Sequence, residues 1–275
     1  MRFLILLFLP IFLSTKVEGQ DSTSFVVAAC SSGVSIDRNV VIPGQTVNAS
    51  RKKLTIPKKE YAIVISKEGY SHLLKSSISV KRVNKKLRWI YGSRMRATGS
   101  VSRTSVWPIE IVGAPQNQFP FILGDSILIA IKSNYVNTKP PYILEFKNIF
   151  EEVLHLDSIH SNWEAKSVKE LVENAENALL LGVHASEVTS SQHLIRRADD
   201  AAKQILNFDL VRTDISHDAA VLRLAIFQSR YFFYDQLFLL YQLDKLNYKP
   251  ENSILQVYFN KLKEKYRFEL FDFHK

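Results

Sequence analysis

Histidines and carboxylates gather in one short stretch of this sequence, at Glu151, Glu152, His155, Asp157 and His160. These residue types bind zinc and similar metals when three or four of them converge on one point. The two histidines lie five residues apart on a predicted strand and loop, so their side chains do not share a face. The spacing therefore indicates a solvated group of charges, and we predict neither a metal site nor a cofactor.

Other candidates for catalysis are equally isolated. Cys30 is the only cysteine, so no intrachain disulfide can form, and no histidine partner for a cysteine nucleophile is identifiable. Asp199 and Asp200 are adjacent on a predicted helix, so their side chains diverge by about 100° and cannot form a carboxylate dyad. The sequence contains no nucleophile elbow, phosphate-binding loop, dinucleotide-binding glycine pattern or H-E-x-x-H zinc motif. We therefore predict that the protein is not an enzyme.

The chain opens with a charged start, an apolar run at residues 3–13 and a small residue at Gly19. This order is typical of a secretory signal peptide, which we predict at residues 1–19. The run is too short to span a membrane, which takes roughly 20 apolar residues. We expect an exported protein, periplasmic or extracellular and free or peripheral to the envelope, with no transmembrane segment in the mature chain. Residues 27–30 also resemble a lipoprotein cleavage box, so lipidation of Cys30 is the alternative to an ordinary strand residue.

Charge divides the chain into two unlike parts. Residues 21–110 hold 16 Lys and Arg against 5 Asp and Glu, whereas residues 111–275 hold 18 against 21. A basic surface attracts anionic polymers or lipids, and nucleic acid is the least available of these outside the cytoplasm. The candidate anion-contacting residues form two clusters: Arg51, Lys52, Lys53, Lys58 and Lys59, then Lys81, Arg82, Lys85, Lys86 and Arg88. The alternative is that they are the solvated face of a small β domain.

Residues 24–82 predict that small all-β domain. Seven short β-prone runs are separated by turn residues, which leaves no room for helices. The runs begin at Phe25, Val34, Val40, Leu54, Tyr61, His72 and Ile78. Pro43-Gly44 and Glu68-Gly69 suit tight reversals, because glycine accepts a positive φ without a Cβ clash.

The order of these runs resembles the FecR-like β domain. The residues that carry the resemblance are Ser32-Gly33-Val34, Pro43-Gly44-Gln45-Thr46-Val47, Lys53-Leu54-Thr55-Ile56, Tyr61-Ala62-Ile63-Val64-Ile65 and Gly69. The resemblance covers about 60 residues and implies a β fold more than a function. Members of that family sit behind a transmembrane helix in iron-uptake signalling, and no such helix is predicted here.

Two further segments precede the helical part. Residues 83–105 are basic, polar and aperiodic, which predicts a linker. Residues 106–160 return to β-prone runs beginning at Pro108, Ile127, Tyr142 and Val153, with a Lys139-Pro140-Pro141 corner. Their spacing predicts a small β-sandwich-like domain, similar to immunoglobulin-like modules in its hairpin spacing only.

Residues 163–275 predict a helical domain. Amphipathic helices are expected at 164–182 and 190–208, a largely apolar helical segment at 217–247, and a last helix at 252–268. An aromatic stripe follows the apolar segment at Phe227, Tyr231, Tyr234, Phe238 and Tyr241. We expect it to be buried against the neighbouring helices at 164–208 and 252–268.

Part of this region resembles a tetratricopeptide repeat. The matching residues are Leu224-Ala225-Ile226-Phe227, Tyr234-Asp235-Gln236-Leu237, Tyr241-Gln242-Leu243, Leu246-Asn247 and Pro250-Glu251-Asn252. Two departures are the missing glycine around residues 230–232 and the insertion of Tyr248-Lys249. The resemblance implies one repeat unit whose core is completed by flanking helices, in a fold that recognises partners.

The expected fold class is therefore a multidomain α and β protein: all-β at the N-terminus, FecR-like plus a small β-sandwich, and an all-α array resembling tetratricopeptide repeats at the C-terminus. Because these are interaction modules and no reaction motif is present, we expect a non-catalytic binding or scaffold protein with a protein partner. The alternative is recognition of an anionic glycan or lipid surface by the basic half, which must weaken with salt.

Overall fold

A computed structural model describes residues 24–48, 53–79, 109–111, 121–133, 140–161, 163–176, 178–185, 188–189, 192–214 and 218–270. The predicted signal peptide and the predicted linker lie outside these residues. Within them, β-sheets form the N-terminal part and helices form the C-terminal part. The predicted order of all-β before helical structure is thus confirmed at this coarse level.

The first β unit consists of two four-stranded antiparallel sheets. One sheet has the order β4-β1-β6-β7, with β1 (Ser24–Cys30), β4 (Thr46–Asn48), β6 (Ala62–Ser66) and β7 (Ser71–Leu74). The other has the order β3-β2-β5-β8, with β2 (Ser35–Ile36), β3 (Asn39–Val40), β5 (Lys53–Thr55) and β8 (Ile78–Ser79). All seven predicted runs contain strands, and β4 is an additional one.

Strand β1 is buried on both faces because it lies between two hydrophobic cores. Phe25 and Val27 face the core between the two sheets, whereas Val26, Ala28 and Ala29 face a second core that contains the helices. The pairing with β6 shifts register between Val27 and Ala29. A bulge of this kind turns neighbouring residues towards the same side, which explains why both alanines face the helices.

Two glycines make the predicted reversals. Gly44 and Gly69 have φ values of 82° and 73°. Residues with a Cβ rarely adopt this left-handed backbone conformation, so any residue other than glycine would be strained at these two positions. The prediction of tight turns at these positions is confirmed.

A second β unit follows. A five-strand path, β10-β17-β15-β12-β13, with β16 paired to β15, forms one sheet, and β14-β11-β9 forms another. The strands are β9 (Ile109–Ile111), β10 (Phe121–Ile122), β11 (Ser126–Ser133), β12 (Tyr142–Lys147), β13 (Val153–Ile159), β14 (Trp163–Ser167), β15 (Ala178–Ala185), β16 (Val188–Thr189) and β17 (His193–Arg197). Their inward side chains form a third core. The predicted runs at 127–131, 142–146 and 153–156 are confirmed as strands, and so are the described residues 109–111 of the run at 108–112.

The predicted helix at 164–182 is wrong. This segment forms β14, a short helix α1 (Lys169–Asn174) and most of β15. In β15, Leu179, Leu181 and Val183 point into the core, while Leu180 and Gly182 lie on the opposite face. Because both faces are largely apolar, the run lacks the alternation that identifies a strand and can be mistaken for a helix. Pairing with β12 and β17 overrides the helix propensity of its alanine and leucines.

The predicted helix at 190–208 is also wrong in its first half. His193 to Arg197 form β17 between β10 and β15, and only then does α2 (Asp200–Thr213) begin. Asp199 accepts a 2.7 Å hydrogen bond from the backbone N–H of Ala202. An aspartate at this position satisfies an otherwise unpaired helix donor, so it marks the true start of the helix.

Four helices form a layer that touches both β units. They are α2, α3 (Ala219–Ser229), α4 (Phe233–Lys245) and α5 (Ser253–Leu270). Their shared core includes Ile63 and Ile65 of the first unit and Leu128 and Ala130 of β11 in the second. The helices therefore fill the space between sheets and are not a separate stacked array over residues 163–275.

The apolar segment at 217–247 is divided by a turn at residues 230–232. Tyr231 has a φ of 67°, and the backbone N–H of Phe232 donates to the carbonyl of Phe227 at 2.9 Å. This hydrogen bond closes the C-terminal end of α3. In most helix ends of this type, the residue at the position of Tyr231 is a glycine. An equivalent arrangement ends α4, with Asn247 at a φ of 51°.

The expectation that the aromatic stripe is largely buried holds only in part. Phe227 and Tyr234 are buried, Phe238 and Tyr241 are half-buried, and Tyr231 is exposed. The neighbours also differ from the expected ones, because Tyr241 packs on Trp163 of β14, with ring centroids 4.8 Å apart. The stripe is split because the turn at residue 231 changes the direction of the chain.

In the part of the chain that the structure describes, none of the helices has the length and apolar character needed to cross a membrane.

Candidate interaction surface

The residues that the sequence offered for chemistry are dispersed. His155 and His160 are both exposed, and Asp199 is engaged as the cap of α2. Across the described ranges, no three His, Cys, Asp or Glu side chains gather closely enough to hold a metal ion.

Cys30 is buried at the end of β1. Its thiol donates a hydrogen bond to the carbonyl of Val41, with the sulfur 3.3 Å from the oxygen. Burial raises the pKa of the thiol, and the nearby Arg212 only partly opposes this effect. Since the thiolate is the nucleophilic form, Cys30 has the environment of a structural cysteine and not of a reactive one.

A buried carboxylate joins the first β unit to the helices. Asp209 of α2 is 0% exposed. It accepts a hydrogen bond from the Tyr61 hydroxyl at 2.7 Å and others from Arg230 at 3.1 and 3.3 Å. The Arg230 guanidinium also lies 4.2 Å from the centre of the Tyr61 ring. Burial raises the pKa of Asp209, and these hydrogen bonds and charges oppose the rise. Because its polar atoms are engaged with one another, this cluster connects structural elements and is not arranged for catalysis.

The two basic clusters are described only in part. Lys53 lies in β5, Lys58 and Lys59 lie in the turn before β6, and all three are exposed. The other candidates lie outside the described residues: Arg51, Lys52, Lys81, Arg82, Lys85, Lys86 and Arg88. Anion contact at these positions therefore stays a prediction.

The most apolar exposed surface is the hairpin formed by β12 and β13, with the connection at residues 148–152. Five of the 13 exposed large hydrophobic side chains of the described residues lie on it. They are Ile143, Ile149, Phe150, Val153 and Leu156. Scattered apolar side chains are normal on a protein surface, whereas a contiguous group of them marks an interaction site.

Period-2 alternation explains how β12 presents this surface. Tyr142, Leu144 and Phe146 are buried in the core, so Ile143 and Glu145 point to the opposite face. There Glu145 contacts Lys147 and His184, each at 2.9 Å. Burial acts to raise the pKa of Glu145, but hydrogen bonds from Lys147 and His184 hold it below its ordinary value.

The tip of the hairpin is held rigidly by Asn148. Its side-chain oxygen accepts hydrogen bonds from the backbone N–H groups of Phe150 and Glu152 at 2.9 and 3.0 Å. Its amide nitrogen donates to the Glu152 carboxylate at 2.7 Å. Phe150, which is 73% exposed, therefore projects from a fixed turn. Such preorganisation lowers the entropic cost of binding.

The edge of the sheet lies on the same hairpin. Among the described strands, β13 pairs with β12 alone. Its C-terminal half is braced by Lys166, which contacts Asp157 at 2.7 Å. The N-terminal half, around Val153 and Leu156, continues from the exposed tip, so the apolar tip and a strand edge form one surface.

Sequence reasoning overlooked this surface, although a signal was present. The connection between β12 and β13 reads Asn148-Ile149-Phe150-Glu151-Glu152. Turns usually carry polar residues and glycine, so two large apolar residues between two predicted strands are unusual. Comparisons of the chain with protein-family models, with curated proteins and with solved structures found no match.

Proposed function

We propose that this chain is a non-catalytic binding protein that recognises a partner protein through the β12–β13 hairpin, acting outside the cytoplasm as its N-terminal sequence suggests. The observation that carries the proposal is Phe150, the most exposed aromatic side chain of the described residues, on a turn fixed by Asn148. Exposed aromatics on rigid supports are frequent energetic centres of protein interfaces.

Charge around the tip favours a protein over an anionic membrane. Glu151 and Glu152 directly follow Phe150 and are exposed. Anionic lipid headgroups would repel these carboxylates if the tip were inserted into a bilayer. A partner with an apolar pocket and Lys or Arg at its rim would satisfy both the phenyl ring and the carboxylates.

The resemblances to the FecR-like domain and to a tetratricopeptide repeat remain part of this proposal. The left-handed glycines at Gly44 and Gly69 support the first, and the antiparallel arrangement implied by the short turn between α3 and α4 supports the second. Both families act by binding, which agrees with the proposed function at the level of fold analogy.

The test compares Phe150→Ser with Leu246→Ser, whose leucine is 76% exposed at the end of α4. Partners are captured from an extract of the source cells, purified and titrated against each variant. We expect Phe150→Ser to weaken the affinity about 30-fold, as for an interface centre, with Leu246→Ser unchanged. Equal loss or equal retention in the two variants contradicts the proposal.

The Asn148→Ala variant tests how much the rigid turn contributes to binding apart from the Phe150 side chain itself. This variant keeps Phe150 but removes the hydrogen bonds that fix the turn, so we expect an intermediate loss of affinity, about three- to tenfold. Vesicles of phosphatidylethanolamine and phosphatidylglycerol test the alternative that the hairpin contacts a membrane. If wild-type protein binds them and Phe150→Ser does not, the hairpin is a membrane contact and the proposal is wrong.

A second candidate, anion recognition by the basic half, rests on the exposure of Lys53, Lys58 and Lys59. Retention on a heparin matrix that falls steeply with salt, and that is reduced by replacing these three lysines with glutamine, would support it. Salt-independent retention would contradict it.

A further inference from the structure

A cavity of about 320 Å³ lies among α2, α3, α4 and the turn between β10 and β11. One wall is apolar and consists of Leu210, Phe227, Phe238 and Leu239. Small-molecule sites are commonly concave and mostly apolar, with a few polar groups that fix the orientation of the ligand. Of the polar side chains that line the cavity, two are of interest because each lacks one interaction.

The first is Arg223 of α3, which lines the cavity. Its guanidinium forms an ion pair with Asp214 through one terminal nitrogen. Its Nε is buried and has no hydrogen-bond partner among the described residues. A buried N–H donor without an acceptor is unfavourable, so a ligand that brings an acceptor would gain from this position once the half-buried Arg223 side chain turns its shielded Nε towards the cavity.

The second is Asp235 of α4. Its two oxygens accept hydrogen bonds from the backbone N–H groups of Gly124 and Leu123 at 2.9 and 3.0 Å, so the carboxylate is held in one orientation. No Lys, Arg or His of the described residues forms an ion pair with it. Burial raises its pKa to about 6, which leaves it ionised at neutral pH.

The charges of the cavity wall then define the ligand. Arg223 is balanced by Asp214, and Arg197 is shared between Glu173 at 3.2 Å and Asp125 at 3.5 Å. The charge of Asp235 is therefore left uncompensated. An anionic ligand would add to this negative charge, whereas a cation would neutralise it.

We propose that the cavity binds a small organic cation with an apolar body, whose protonated amine pairs with Asp235 and whose carbonyl accepts a hydrogen bond from Arg223 Nε. The apolar body packs against the wall of Leu210, Phe227, Phe238 and Leu239. This is a ligand site separate from the β12–β13 hairpin and does not depend on the proposed partner binding.

Three related probes dissect the site by calorimetry at about pH 7, where Asp235 is ionised and the amines are mostly protonated. Phenylalaninamide has the phenyl body, the amine and the carbonyl. Phenethylamine lacks the carbonyl, and hydrocinnamamide lacks the amine. We expect phenylalaninamide to bind and each deletion to weaken the affinity about tenfold or more, because each removes one charged or charge-assisted contact.

Variants then assign each contact. Arg223→Lys keeps the charge that pairs with Asp214 but removes the Nε donor, so it should weaken phenylalaninamide about tenfold and leave phenethylamine unchanged. Asp235→Asn should weaken both amines, whereas Asp244→Asn, which alters a carboxylate on the same helix paired with Lys263, should weaken neither.

Two results overturn the proposal. One is equal affinity of wild-type protein for hydrocinnamamide and phenylalaninamide, and the other is no binding of phenylalaninamide at about 10 mM, the weakest affinity of interest. Both are measured on wild-type protein, so the test stands even if a variant fails to fold.

Discussion

The Tyr61 hydroxyl donates a 2.7 Å hydrogen bond to the carboxylate of Asp209, a residue 148 positions further along the chain. Tyr61 precedes β6 of the first β unit, and Asp209 lies on the buried side of α2. The contact is therefore one of the points at which the N-terminal sheet is attached to the helical layer. It also compensates for the burial of a charge, which otherwise carries a large desolvation cost.

Replacing Tyr61 with phenylalanine should destabilise the protein. The ring and its contact with Arg230 remain, but Asp209 loses a donor in a buried position, which costs about 1–3 kcal/mol. Urea denaturation of the two proteins measures the difference. Tyr231→Phe is the matched control, because that tyrosine is 49% exposed, and it should change the unfolding free energy by less than about 0.5 kcal/mol. Equal effects of the two substitutions would show that the hydrogen bond contributes nothing.

Replacing Tyr234 with phenylalanine should not destabilise the protein and should, if anything, stabilise it. Tyr234 is buried in the core of the second β unit, and its hydroxyl has no hydrogen-bond partner within the described residues. Removing an unsatisfied buried polar group is neutral or favourable, by up to about 2 kcal/mol. The urea midpoint of Tyr234→Phe should therefore equal or exceed that of the wild type. A clear decrease would mean that the hydroxyl has a bound water or another partner.

Phe238 should contribute less to stability than its place in the aromatic stripe suggests. It is half-buried and borders the cavity, whereas Leu240 on the same helix is fully buried. Leu240→Ala should cost about 2–5 kcal/mol through lost burial and a new void. For Phe238→Ala we expect about 1–2 kcal/mol, because less apolar surface is exposed by the change. Thermal unfolding of both variants tests the order, and a larger loss for Phe238→Ala would reverse it.

Asp235 should make stability depend on pH. Burial raises its pKa from 3.8 to about 6 in the folded state, so between these values the folded protein binds more protons at this site than the unfolded chain. The contribution of Asp235 to stability therefore falls as pH rises from about 4 to 6 and stays low above that, a change of roughly 1–3 kcal/mol. Below pH 4 both states are protonated and the penalty is absent.

Asp235→Asn isolates this effect. The amide offers only one acceptor to Leu123 and Gly124, but that loss does not vary with pH. The unfolding free energy of the variant relative to wild type should therefore increase between about pH 4 and 6.5. Parallel stability curves over this range would show that the pKa of Asp235 is not raised in the folded protein.

The local sequence pattern was sufficient to predict strands where one face of the strand is buried and glycine marks the turns. The runs that became β1 to β3 and β5 to β8 alternate or are flanked by turn residues, and Gly44 and Gly69 adopt the left-handed backbone that their positions required. The hairpin strands β12 and β13 were predicted for the same reason. What the pattern did not indicate was that the apolar residues at the hairpin tip remain exposed, because exposure depends on what packs nearby.

The order of β before α structure and most strands of the first unit thus follow from the sequence alone, since those features depend on spacing along the chain. That β15 and β17 are strands depends instead on their long-range pairing, because an apolar run becomes a strand when neighbouring strands take up its backbone hydrogen bonds. The folded arrangement also brings Tyr61 next to Asp209, and it places Arg223 and Asp235 on the wall of one cavity. Such contacts join residues that are far apart in sequence. A local sequence pattern does not indicate which distant side chain will compensate a buried charge.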